Sequence, residues 1–96
     1  MDIAKTSRQM RSILVKYHVK KAALFGSILT GKMHKTSDID LLIELPEKAT
    51  LFDMLGVKID LEKRLGRKVD VVEYEGVKSA FKKEILSHQI VIYRQS

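Results

Sequence analysis

The sequence predicts a two-layer α/β (α+β) domain, a small mixed sheet of about four strands covered by helices, in the order αβ(α)βαβαβ. Two observations carry this. Short apolar runs bounded by Gly or Pro alternate with segments whose apolar residues repeat at helical spacing. The chain is also only 96 residues long. A chain of that size buries roughly 60–70 % of the surface its unfolded form exposes, enough for one core. Residues 1–96 are therefore expected to form a single domain, with no room for a separate substrate-binding unit.

The elements follow in order. Ile3, Met10, Ile13, Leu14 and Tyr17 mark a first helix with Lys, Arg and Ser between them. Arg8, Arg11 and Lys16 would suit a nucleic-acid helix. An amphipathic helix packed on a sheet accounts better for the mixed charges and hydroxyls of the outer face. Lys20–Phe25 reads as a buried strand stopped by Gly26-Ser27, and a short polar segment containing Gly31 follows. Asp38–Leu45 is a second strand, ended by Pro46. Thr50 and Asp53 have capping-box spacing and open a helix carrying Leu51, Phe52, Leu55, Ile59 and Leu65, with Gly66 as its stop. Lys68–Tyr74 is a third strand, Val77, Ala80, Phe81 and Ile85 mark a last helix, and Ile90–Tyr93 is a last strand.

Composition excludes several classes. Apolar residues are 45 % and charged residues 31 %, in the range of a folded globular domain. There is no cysteine, which removes disulfides and thiolate metal sites and suits a reducing, cytoplasmic setting. The longest apolar runs are four residues, whereas a membrane span needs about twenty. Met1–Lys5 has no apolar core of a signal peptide. The net charge of +6 suggests a polyanionic partner, either nucleic acid or nucleotide phosphate. Nucleic acid is the weaker expectation, because no base-reading motif accompanies the charge.

Three carboxylates stand out. Asp38 and Asp40 share one face of the second strand, with Ile39, Leu41 and Ile43 on the other. In the third strand Asp70 points opposite to Val69 and Val71. If the two strands are neighbours, the three acids converge. Their repulsion is relieved by a divalent cation, and oxygen ligands without Cys or His favour Mg²⁺ or Mn²⁺. The structural alternative is that Asp38 caps a strand end and Asp70 pairs with Lys or Arg. Gly26-Ser27 adds a turn where backbone N–H groups and a hydroxyl can meet a phosphate. Glu44 shares the parity of Asp38 and Asp40 but lies further along, in a supporting position. His18, His34 and His88 are too scattered for a metal site, Lys78, Lys82 and Lys83 suit a solvated helix face, and Tyr17, Tyr74 and Tyr93 lie on elements with core periodicity.

Gly26-Ser27, ten residues, then Asp38-Ile39-Asp40, with Asp70 in Val69-Asp70-Val71-Val72, resembles the signature of the DNA polymerase β-like nucleotidyltransferase superfamily. The resemblance is closest to the minimal nucleotidyltransferases (the MNT family) and extends over Gly31, Ser37, Leu65–Asp70 and Ile92-Tyr93. The turn departs from the family: Gly26-Ser27-Ile28-Leu29-Thr30-Gly31 lacks two arginines common there, and His34-Lys35 stands where Arg-Pro is frequent. Lys32, His34 and Lys35 are the cations nearby in sequence.

The resemblance implies the polymerase β-like fold and an Mg²⁺-dependent nucleotidyltransferase. Asp38, Asp40 and Asp70 would be catalytic and would bind two Mg²⁺ ions, with Mn²⁺ as the alternative. Gly26 and Ser27 would hold the phosphates of ATP or another NTP. The implied partner is a HEPN-domain protein, both acceptor and complex partner, with this chain as the MntA-like antitoxin of a toxin–antitoxin pair. AMP would pass to a tyrosine of the toxin. The alternative reading is a non-catalytic nucleotide-binding or toxin-masking module. Homo-oligomerisation is left open by the sequence.

Overall fold

The computed structural model describes residues 2–25, 39–77 and 79–95. The elements are α1 (Ile3–Lys16), β1 (Lys21–Phe25), β2 (Ile39–Glu44), α2 (Leu51–Leu65), β3 (Val69–Glu73), a 3₁₀ turn (Tyr74–Gly76), α3 (Ser79–Ser87) and β4 (Ile90–Arg94). The short helix expected between β1 and β2 lies outside the described residues, as do Gly26, Ser27, Gly31, His34, Ser37, Asp38 and Lys78.

The four strands form one sheet in the order β3-β2-β1-β4. β1 is antiparallel to both β2 and β4, while β2 and β3 are parallel and joined through α2, so the sheet is mixed. β2 lies inside the sheet, and its Leu41, Leu42 and Ile43 are all fully buried. That burial explains a continuous apolar run where alternation would mark a half-exposed strand. β3 ends at Glu73, one residue short of the expected limit. Tyr74 instead opens the 3₁₀ turn, closed by the Val77 N–H donating to the Tyr74 carbonyl at 3.3 Å.

One face of the sheet builds the core. Ala22, Leu24, Ile39, Leu41, Ile43 and Val69 meet Met10, Ile13 and Leu14 of α1 and Val57 and Leu61 of α2. The expected face of α1 is the observed one. Of the periodic set read from α2, only Leu65 packs against the core. Leu51, Phe52, Leu55 and Ile59 form an exposed stripe, Phe52 at 83 %, while Val57 and Leu61 face the sheet. Gly66 ends α2 at φ 65°, and Thr50 and Asp53 form the capping box at its start. α1 stops differently. The His18 N–H donates to the Val15 carbonyl and the Val19 N–H to the Leu14 carbonyl, each at 3.0 Å, with His18 at φ 59°. This is a Schellman stop built without glycine. Among the described residues no helix is long and apolar enough to cross a membrane.

Candidate active site

Three strands meet at one end of the sheet. β1 finishes there because it runs antiparallel to β2, and β2 and β3 begin there because they run parallel. The register sets Phe25 opposite Asp40, and Asp40 opposite Asp70. Partners in register point to the same face, and neighbouring strands lie about 4.8 Å apart. Asp40 and Asp70 therefore stand side by side on the face opposite Ile39, Leu41 and Val69, which belong to the core. In sequence, Gly26-Ser27 follows Phe25 and Asp38 precedes Ile39; all three lie outside the described residues.

Asp40 is half-buried and Asp70 is exposed. Asp70 lies on β3, an edge strand of the sheet. Like charges directly opposite on adjacent strands are destabilising. The donor set is oxygen only and suits a hard divalent cation. Among the described residues no three His, Cys, Asp or Glu side chains come together as a metal-holding group, so the two acids in register are what the fold presents.

The start of β3 is gripped from α2. The Val69 N–H donates to Glu62 Oε2 at 2.9 Å, and Lys58 Nζ donates to the Val69 carbonyl at 2.8 Å. Lys58 and Glu62 are themselves 3.5 Å apart, one helical turn from each other. The bond from the Val69 N–H is the main cause that holds the Glu62 carboxyl below the usual carboxylate range, with Lys58 adding to it. Reading the sequence for motifs missed both residues.

Other singled-out residues stand apart from the acids. Glu44 is exposed at the far end of β2, roughly 13 Å along the strand from Asp40, too far to support that pair. There it joins Lys20, Glu73, Tyr74 and Glu75 around a cleft. The Tyr74 hydroxyl donates to Gln89 Oε1 at 2.5 Å, and Lys21 Nζ lies 4.9 Å from the Tyr74 ring centre. Burial raises the Tyr74 hydroxyl pKa. A second cleft, between α1 and α2, is lined by Ser12, Lys16, Asp60, Lys63 and Arg64. Neither cleft includes Asp40 or Asp70. His18, His88, Lys82 and Lys83 are exposed.

The family described as Polymerase beta, Nucleotidyltransferase matches residues 8–96. The chain belongs to that nucleotidyltransferase family. A relative from Methanocaldococcus jannaschii, "Putative protein adenylyltransferase MJ0435", is 38 % identical over 90 residues, covering 94 % of this chain and 97 % of its own. The solved "Structure of putative minimal nucleotidyltransferase" is 28 % identical with a TM-score of 0.80, covering 94 % of this chain and 95 % of that one. The nucleotidyltransferase fold also matches a solved complex described as tri-AMPylated Shewanella oneidensis HEPN toxin with MNT antitoxin. There the TM-score is 0.74 at 14 % identity, covering 98 % of this chain and 74 % of that one, a likeness of fold. The expected polymerase β-like architecture and minimal-nucleotidyltransferase resemblance are thus those of the chain's relatives.

Proposed function

We propose that this nucleotidyltransferase moves AMP from ATP to a tyrosine hydroxyl of a HEPN-domain partner and thereby acts as its antitoxin. The carrying observation is the register of Asp40 against Asp70 at the sheet end where β1 leads into Gly26-Ser27. Relatives named as protein adenylyltransferases support the chemistry, and the solved HEPN toxin–MNT antitoxin complex supports the partner class.

In this reading Asp38, Asp40 and Asp70 hold two Mg²⁺ ions, or Mn²⁺. Bound there, the ions neutralise triphosphate charge and lower the pKa of the attacking hydroxyl. Gly26 and Ser27 hold the β- and γ-phosphates through backbone N–H groups and the serine hydroxyl. The acceptor oxygen bonds to the α-phosphorus as the bond from that phosphorus to its bridging oxygen breaks. Pyrophosphate leaves with the electron pair, and the hydroxyl proton passes to water. The chain's own contribution is positioning. Two carboxylates are fixed by backbone register before any ligand arrives.

The test incubates the chain with Mg²⁺, each NTP in turn and the HEPN-domain protein, and reads intact masses. The expected result is an AMP adduct on the partner with ATP alone. No adduct with any nucleotide would overturn the reading. Masking without transfer is the second reading, favoured by the absence of arginine between Gly26 and Gly31. Partner inhibition that survives Asp38→Asn/Asp40→Asn would support it.

A further inference from the structure

β3 starts on the open edge of the sheet. On its inner side the Ile39 N–H donates to the Lys68 carbonyl at 2.9 Å. In a parallel ladder alternate residues bond to the neighbour, so the N–H and C=O of Val69 point away from β2. An edge strand normally leaves such groups to water, and its end frays. Here both are taken by α2, the N–H by Glu62 and the carbonyl by Lys58. Each contact is shorter than the 3.5 Å between Lys58 and Glu62 themselves, so the two side chains serve the strand first. The residue after Val69 is Asp70.

We propose that Lys58 and Glu62 are positioning residues for the carboxylate pair, gripping both polar groups of Val69 so that Asp70 stays level with Asp40. The proposal rests on the reading of those acids as the metal site. Neither residue touches the ions or the substrate. They act through one backbone unit of β3. Loss of either leaves one of the two outward polar groups of Val69 without its partner on α2, which loosens the start of the edge strand and lets the second carboxylate drift from the first. Partners that orient metal ligands in this indirect way typically change metal affinity by about 10–100-fold when removed.

The test uses Mn²⁺ alone as the probe, titrated into the full chain and followed by water-proton relaxation. It covers wild type, Glu62→Ala, Glu62→Gln and Lys58→Met, each checked for folding by near-UV circular dichroism. Glu62→Ala is expected to weaken Mn²⁺ about tenfold, at the low end of the range for such partners. Lys58→Met is expected to weaken it in the same direction, because its unbranched stem remains but the donor to Val69 is gone. Glu62→Gln keeps an acceptor for the Val69 N–H and is expected to retain most of the affinity. A structural role alone would lower the melting temperature without this ordering of affinities. Should Glu62→Ala fail to fold, Lys58→Met decides. Unchanged Mn²⁺ affinity in the folded variants would overturn the proposal while leaving the acid pair as the site. No Mn²⁺ binding by wild type would overturn both.

Discussion

Tyr17 lies against the one position of α2 that has no side chain to oppose it: a Cβ on Gly56 would fall 2.6 Å from the Tyr17 hydroxyl oxygen and 2.7 Å from its ring. The tyrosine is held there, since its hydroxyl donates to Asp60 Oδ2 at 2.8 Å, the oxygen that Lys16 also reaches at 3.2 Å. Gly56→Ala would gain about 1 kcal/mol of helix propensity. It would also force a rigid ring out of a hydrogen-bonded seat, an overpacking cost of typically 1–3 kcal/mol. The expected net effect is destabilisation, read as a lower urea midpoint. Tyr17→Leu in the same chain is expected to recover part of the loss.

That cluster makes stability depend on pH at both extremes. The Tyr17 hydroxyl, and then the Lys16 ammonium, hold the Asp60 carboxyl below its ordinary range, and Glu62 is lowered through Val69. A depressed carboxyl contributes fully above its unfolded pKa, about 3.9 for Asp and 4.3 for Glu, and the contribution is lost as pH falls through the folded value. Tyr17 and Lys16 are both raised, chiefly by the hydrogen bond to Asp60. Their contribution is present below about pH 10 and is lost as pH rises through the folded values. Urea midpoints from pH 3 to 11 are expected to form a plateau with two falling limbs, both shallower in Asp60→Asn.

His18 is the described non-glycine residue with positive φ, and it ends α1. An L-residue there carries strain that glycine does not. His18→Gly is expected to raise stability by about 0.5–1 kcal/mol, less what the freer unfolded chain takes back. Thermal melting of the two chains measures it.

Asp70→Asn tests the proposed role of the carboxylate pair against its effect on the fold. Without metal, removing one of two like charges in register is expected to leave stability unchanged or raise it by up to about 1 kcal/mol. With Mg²⁺ and ATP, the same variant is expected to lose nucleotidyl transfer by at least about 10²-fold. Opposite movements of melting temperature and rate in one variant would mark a site kept for function at the expense of the fold.

Much of this arrangement was legible beforehand. The strands, the capping box at Thr50 and the stop at Gly66 follow from local chemistry, which acts over a few residues. The shared parity of Asp40 and Asp70 is equally local; their level alignment is not, because it depends on the parallel pairing of β2 with β3. α2 misled for a definite reason. It is apolar on two faces, Leu51, Phe52, Leu55 and Ile59 outward and Val57 and Leu61 inward, so periodicity offers two answers. The grip of Lys58 and Glu62 on Val69 escaped notice because side chain to backbone contacts across elements leave almost no pattern in a sequence.

The crossover from β2 through α2 to β3 has a kinetic consequence. Asp40 and Asp70 are 30 positions apart, and they become neighbours only when the parallel pair closes. Contacts between distant positions form slowly because chain entropy must be lost before they are rewarded. The hairpin of β1 and β2 can assemble while the acid pair is still absent. The alignment of the two acids is therefore a property of the folded chain, absent from a nascent or partly melted one.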